Sequence, residues 1–167
     1  MFLNKRKTIL VISVCILVLF LTDNDVKSQD IKISDGDTIK INGVKIRFSG
    51  IDAPESYFLG KKQTCKLEEK VIFCGEISKN KLIKKIGNNS VDCILEKNKD
   101  KYKRSIGECF VKGESLSVYM VRNGYALDWP RYSKGKFSKE QEFAKDNKLG
   151  IWAMKFEFPW VWRANNR

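Results

Sequence analysis

The sequence predicts an α+β fold in which five strands form a β-barrel with three helices packed on it. Alternating apolar and polar residues predict three strands, then a helix, then two more strands, and two amphipathic segments follow as helices. A five-stranded barrel with a helix between its third and fourth strands is the arrangement of the OB fold. The 167 residues suffice for one such domain with a short appendage.

The first strands flank Asn42-Gly43, a dipeptide that favours a two-residue hairpin turn because both turn positions need a positive φ. Polar and apolar residues alternate on both sides of it, along Thr38–Ile41 and Val44–Phe48. We expect a further strand at about Asp30–Ser34, before this pair.

Three helices are predicted from apolar spacing and from residues typical of helix ends. They cover Gly75–Ile86, Ser115–Asn123 and Ser138–Lys148. The last helix should open with a capping box, Ser138-x-x-Gln141, and close at Gly150.

The last two strands are predicted at Val91–Leu95 and Ser105–Val111, around the charged loop Glu96–Arg104. Centring this hairpin in the loop places Cys93 opposite Cys109, within reach of a cross-strand disulfide.

The amino-terminal segment has the order of a secretory signal peptide. Lys5-Arg6-Lys7 precede an apolar run from Thr8 to Thr22, and cleavage is predicted after Ser28. The alternative is an uncleaved membrane anchor, for which the run is short, since a span needs about 20 residues. The predicted organisation is therefore a signal peptide at 1–28, a domain at 29–154, and an aromatic tail at 155–167 that packs back on it.

Export would place the chain in the periplasm or outside the cell, where disulfides form readily. Cys65 and Cys74 would then pair by elimination. A four-cysteine zinc site is the alternative, but the sequence has no C-x-x-C motif.

The net charge and the lack of histidine limit the partners and the catalytic groups that this chain can use. There are 32 Lys and Arg residues against 20 Asp and Glu, a net charge of +12, which favours polyanionic partners but also suits simple solubility. The sequence has no histidine, which excludes histidine as general base, as nucleophile activator and as zinc ligand. Any hydrolysis must depend on carboxylates, arginines and a hard cation.

Two carboxylate clusters flank one arginine. The clusters are Asp35-Gly36-Asp37-Thr38 and Asp52-Ala53-Pro54-Glu55, and Arg47 lies between them. Carboxylate oxygens are ligands for Ca²⁺, and an arginine fork binds two phosphate oxygens. This short stretch can therefore supply a cation site, a phosphate clamp and a base.

With two further segments the chain resembles the thermonuclease (staphylococcal nuclease-like) family. These segments are Asp100-Lys101-Tyr102-Lys103-Arg104 and Leu149-Gly150-Ile151-Trp152, and the four blocks follow the family order. The resemblance implies the OB barrel and a Ca²⁺-dependent hydrolase of DNA and RNA with little sequence preference. It also implies cleavage at the 5′-oxygen, which leaves 3′-phosphate ends.

The resemblance also implies roles for the matching residues. Asp37 and Asp52 would hold Ca²⁺, for which the carbonyl of Ala53 is a further ligand. Arg47 and Arg104 would bind the phosphate and stabilise its added charge. Glu55 would activate the attacking water as general base, or orient it.

Three aromatic residues are candidate substrate contacts. Tyr102 would lie near the scissile phosphate or a base, and Trp129 with Tyr132 would form a stacking platform. The alternative for Trp129, beside Pro130, is simple packing.

Two residues depart from the family pattern. Ala53 replaces a common threonine, which keeps the carbonyl but loses a hydroxyl. Lys103 stands where glycine is usual, so a positive φ there would be strained by about 1–2 kcal/mol.

Strict alternation along the first hairpin places Asp37 on the core face and Arg47 on the opposite face. Both can serve one site only if the strand ends or bulges, so we predict an irregularity at Asp35–Asp37, with Asp35 as a turn residue.

The leading hypothesis is a secreted, monomeric nuclease with nucleic acid as its substrate and no stable protein partner. The alternative is an OB module that binds nucleic acid without cutting it.

Overall fold

The computed structural model describes residues 29–167, so the predicted signal peptide lies outside the described residues. Among the residues it describes, we find no helix with the length and apolar character needed to span a membrane.

Ten strands and five α-helices make up the described chain. The strands are β1 (Ile31–Asp35), β2 (Thr38–Ile41), β3 (Val44–Phe48), β4 (Ile51–Asp52), β5 (Cys65–Leu67), β6 (Lys70–Ile72), β7 (Asp92–Lys99), β8 (Ser105–Val111), β9 (Glu114–Ser115) and β10 (Leu127–Asp128). The helices are α1 (Cys74–Ile86), α2 (Leu116–Arg122), α3 (Pro130–Ser133), α4 (Ser138–Asp146) and α5 (Pro159–Asn165), with a 3₁₀ turn at Gly150–Ala153.

The main sheet is mixed. Its strands follow the order β1-β2-β3-β8-β7, with β9 beside β8, and β3 runs parallel to β8 while the other pairs are antiparallel. Within residues 29–167 no strand ladder joins β1 to β7, so the closed barrel of the predicted OB fold is not seen. The Gln29 side chain, just before β1, makes two hydrogen bonds with the backbone of Val91, just before β7.

The first hairpin has the predicted turn and the predicted irregularity. Asn42 and Gly43 both have positive φ angles, 47° and 87°. The β1–β2 register shifts between Ile33 and Asp35, and the chain turns before β2 begins. Asp37 therefore lies in a turn, free of the strand alternation, while the adjacent Thr38 pairs with Arg47.

Five helices replace the three that were predicted. The two additional ones, α3 and α5, each begin with proline at the first position, a helix-start signal that the sequence reading missed. The predicted capping box of α4 is wrong: no side chain caps the amino terminus of that helix. The Gln141 side chain instead accepts a hydrogen bond from the amide of Asp128, 3.0 Å away, and so ties α4 to β10.

Two hydrophobic clusters support the fold. The larger one lies between the sheet and helices α1 and α2, and includes Ile39, Phe48, Leu82, Leu116 and Met120. The smaller one joins the start of α1 and strand β10 to the carboxyl-terminal segment, and includes Cys65, Cys74, Leu127 and Ile151.

Both predicted disulfides are present. Cys93 lies opposite Cys109 in the β7–β8 ladder and bonds to it, and Cys65 bonds to Cys74.

The loop between β7 and β8 is organised by Asp100. Its carboxylate accepts hydrogen bonds from the amides of Tyr102 and Arg104, both at 2.9 Å, and holds the Arg104 guanidinium at 2.6 Å. Lys103 has a φ of 61°, so the strain expected for a side chain at this position is present.

We expect Asp100→Asn to lower the free energy of unfolding at pH 7 by about 2 kcal/mol, because charged hydrogen bonds are lost. Burial alone would raise the pKa of Asp100, but the hydrogen bonds from Arg104 and Tyr102 lower it. A carboxyl group with a lowered folded-state pKa stabilises the protein above its unfolded pKa of about 4, and this stabilisation is lost as pH falls through the folded-state value.

The difference between wild type and Asp100→Asn should therefore shrink from pH 6 to pH 3. Urea unfolding at several pH values measures it, with Asp146→Asn, at an exposed site, as the control. A difference that stays constant over this range would contradict the proposed role of the Asp100 charge.

We expect the double variants Cys65→Ser/Cys74→Ser and Cys93→Ser/Cys109→Ser each to lose about 3 kcal/mol of stability, because each bridge restricts the unfolded chain. The bridges join residues 9 and 16 positions apart, so the losses should be similar. Urea unfolding with and without reductant measures them. Double variants that are as stable as the wild type without reductant would show that the bridges contribute nothing.

Candidate active site

An open cleft of about 170 Å³ lies beside the β1–β2 turn. Four of the predicted site residues line it together: Asp37, Arg47, Glu55 and Arg104. The other residues of its wall are Ser34, Asp35, Thr38, Lys45 and Tyr57.

Arg47 bridges the two aspartates that were predicted to hold a cation. Its Nη1 lies 2.9 Å from Oδ2 of Asp37, and its Nη2 lies 2.5 Å from Oδ1 of Asp52. The carboxylates are 3% and 0% exposed. One guanidinium therefore contacts both carboxylates and lies between Asp37 and Asp52.

Asp37 is fixed by its neighbours in the turn. Its carboxylate accepts hydrogen bonds from the Thr38 hydroxyl at 2.8 Å and from the Ala53 amide at 3.0 Å. Gly36 allows the turn to lie against α1, since a Cβ there would come within 1.9 Å of the Ser78 hydroxyl. The turn is therefore held between α1 and the segment that follows β4.

Asp52 ends strand β4, which pairs with β10 through the residues Asp52 and Leu127. The side chain is buried and does not line the cleft directly. It pairs with Arg47, which does line the cleft.

The segment that carries Glu55 is supported by Gln63. The Gln63 side chain accepts a hydrogen bond from the Glu55 amide at 3.1 Å and donates one to the carbonyl of Glu157 at 2.7 Å. The start of α1 packs closely here, because a Cβ on Gly75 would come within 2.0 Å of the Glu55 carbonyl oxygen. Glu55 therefore sits on backbone that is held from two sides.

Sequence reasoning missed one arginine at this site. Arg163, from α5, pairs with Asp52 through Nη2 to Oδ2 at 2.7 Å and Nη1 to Oδ1 at 3.0 Å. The same Nη1 pairs with the Glu55 carboxylate. The available signal was an arginine that directly follows Trp160-Val161-Trp162 in a tail predicted to pack on the domain.

Carboxylates outnumber arginines in this cluster, and the pKa values of Asp35 and Glu55 are raised. Burial, together with the charges of Asp37 and Glu55, raises the pKa of Asp35 to about 8. Burial and the charge of Asp37 raise the pKa of Glu55, and Arg163 opposes this rise. Asp35 also accepts hydrogen bonds from the amides of Gly36 and Ser56, as a turn residue does.

Arg104 lines the cleft but is already paired with Asp100. Its guanidinium also lies 5.3 Å from the ring of Tyr102, which is 61% exposed and outside the wall of the cleft.

Trp129 is packed. It stacks on Trp160 with the ring centroids 5.7 Å apart, and Arg47 and Arg163 lie 6.0 Å and 5.6 Å from its centroid. Tyr132 meets its edge at 4.6 Å and is itself exposed. Neither Trp129 nor Tyr132 lines the cleft, so the predicted platform lies beside it.

Carboxylate oxygens are the ligands that a hard cation such as Ca²⁺ prefers, and this cluster has more carboxylates than arginines. Among residues 29–167, however, no three metal-binding side chains converge on one point. Two carboxylates with the main chain of Ala53 therefore remain the candidate ligands. The Asp52 oxygens that would serve are the ones that the two arginines contact.

The chain is similar to a known protein family and to several known proteins. Residues 45–154 match the family model described as staphylococcal nuclease homologue. The chain is 30% identical over 122 residues to the succinoglycan biosynthesis protein ExoI of Rhizobium meliloti, covering 72% of this chain and 61% of that protein.

Two other relatives carry nuclease names. The chain is 30% identical over 129 residues to an uncharacterized endonuclease of Haemophilus influenzae, covering 74% of this chain and 64% of that one. It is 29% identical over 125 residues to the staphylococcal-like nuclease CAN1 of Arabidopsis thaliana, covering 74% and 34%. The match spans less than two thirds of each of these three relatives.

The matched range 45–154 covers Arg47, Asp52, Glu55 and Arg104 of this cluster. The chain belongs to the family of staphylococcal nuclease homologues.

Proposed function

We propose that this protein is a Ca²⁺-dependent nuclease that hydrolyses phosphodiester bonds in DNA and RNA with little sequence preference. The observation that supports it most strongly is the Arg47 bridge between Asp37 and Asp52, with Glu55 on the same cleft. The net charge of +12 suits a polyanionic substrate, and two relatives are named nuclease or endonuclease.

In this mechanism three residues of the cleft wall have assigned tasks. Glu55 takes a proton from the attacking water, or orients that water, from a carboxylate on the wall of the cleft. Arg47 lines the same wall and brings positive charge to the phosphate, while its Nη1 and Nη2 also pair with Asp37 and Asp52. Arg104, held at the rim by Asp100, stabilises the charge that develops on the phosphate.

Ca²⁺, held by Asp37, Asp52 and the Ala53 carbonyl, would supply positive charge to the phosphate oxygens. With few protein ligands we expect weak binding, with a Kd on the order of 10⁻⁴–10⁻³ M. The protein is proposed to be exported after cleavage at about Ser28, which mass spectrometry of the mature amino terminus would test.

We expect Glu55→Gln to reduce kcat by about 10²–10⁴-fold, because the base is lost while the shape of the side chain is kept. Cleavage of single- and double-stranded DNA and of RNA is measured in millimolar Ca²⁺ and in chelator, and filter binding of an uncleaved oligonucleotide is measured in parallel. Glu142→Gln, at an exposed position on α4, is the matched control.

The expected result is a Glu55→Gln variant that binds the oligonucleotide but does not cut it, and a control that cuts normally. A folded wild type that leaves all three substrates intact in Ca²⁺ would overturn the proposal. If that wild type still binds the oligonucleotide, the protein is a binding module instead.

A further inference from the structure

We propose that Arg163 is a positioning residue of the active site, which holds the carboxylates of Asp52 and Glu55 in one fixed arrangement. This inference rests on the proposed function. Arg163 lies beyond residue 154, where the family match ends, so the match assigns it no role.

The Arg163 guanidinium contacts two carboxylates at once, those of Asp52 and Glu55. Nη1 and Nη2 form a bidentate pair with the two oxygens of Asp52, and Nη1 also pairs with Glu55. Asp52 is fully buried and the Arg163 side chain is 16% exposed, so water screens this pair only weakly. A planar fork that spans two carboxylates fixes their relative orientation, which a single point charge cannot do equally well.

Arg163 contacts both carboxylates without lining the cleft itself. Among residues 29–167, Glu55 belongs to the wall of the cleft and Arg163 does not. The guanidinium therefore leaves the opening clear for substrate. This placement favours a positioning role over a plug that blocks the site.

The helix that carries Arg163 is anchored independently of the ion pairs. Trp162 is 9% exposed and meets the edge of Phe58, with ring centroids 6.2 Å apart. Trp160 stacks on Trp129, which also lies against Arg163. These contacts hold α5 in place, so loss of the Arg163 charge should leave the helix docked.

We expect Arg163→Gln to lower kcat by about 10–100-fold, the usual effect of losing a group that orients catalytic ligands, with a much smaller change in KM. Ca²⁺ binding, measured by calorimetry without substrate, should become tighter, because one cation that competes for the Asp52 oxygens is removed. A purely structural residue would instead lower kcat, Ca²⁺ affinity and melting temperature together.

Two variants sharpen the test. Arg163→Lys keeps the charge but not the fork, so its kcat should lie between those of the wild type and Arg163→Gln. Arg122→Gln removes an arginine that packs over the ring of Phe143, away from the cleft, and should cut like wild type. If Arg163→Gln does not fold, Arg163→Lys decides the case: the proposal requires a reduced kcat at an unchanged melting temperature.

Failure of the role proposed for Arg163 can be distinguished from failure of the proposed nuclease function. A wild type that cuts while Arg163→Gln cuts equally fast overturns this inference and leaves the proposed function intact. A higher kcat in Arg163→Gln also overturns it, because Arg163 would then be an inhibitory latch. A wild type that cuts no nucleic acid defeats the proposed function itself.

Discussion

The fold must compensate two carboxylates, Asp37 and Asp52, that it buries almost completely. A buried carboxylate without a partner costs several kcal/mol, so such groups persist only where cations and hydrogen-bond donors surround them. Arg47 supplies the shared cation, and the Thr38 hydroxyl and the Ala53 amide complete the shell of Asp37. The β1–β2 turn carries Asp37 to its donors, and Arg163 on the last helix adds a second cation beside Asp52. Apolar side chains of similar volume often give comparable or greater stability at such positions, so stability alone does not account for these buried charges.

The segment that carries Glu55 has no regular secondary structure, yet it is not loosely held. Gln63 is fully buried and joins the Glu55 amide to the carbonyl of Glu157. The disulfide between Cys65 and Cys74 fixes the next stretch of chain at the start of α1, where Gly75 permits contact with the Glu55 backbone. The role proposed for Glu55 requires its carboxylate to be placed to within about 0.5 Å, and these contacts hold its backbone where no strand or helix does.

The elements that sequence reasoning located are those with strong local signals. The hairpin at Asn42-Gly43 was predicted to the residue because positive φ angles restrict the choice of amino acid. The bulge before Asp37 could be predicted because Asp37 and Arg47 otherwise fall on opposite faces. The capping box failed because Gln141 is used by β10, a tertiary contact that no local pattern reveals. Arg163 was missed for the same reason, since its partners lie 108 and 111 residues away.

The distribution of charge explains why the last helix belongs to the site. Asp52 contacts Arg47 on one side and Arg163 on the other, so it couples β3 to α5 through a single buried carboxylate. With Arg47 alone, Asp35, Asp37, Asp52 and Glu55 would leave three uncompensated carboxylates in a confined space, and burial would protonate some of them. Arg163 lowers that excess and holds Glu55 beside Asp52. The domain that matches the family between residues 45 and 154 is therefore electrostatically incomplete without the turn at Asp37 and the helix at Arg163.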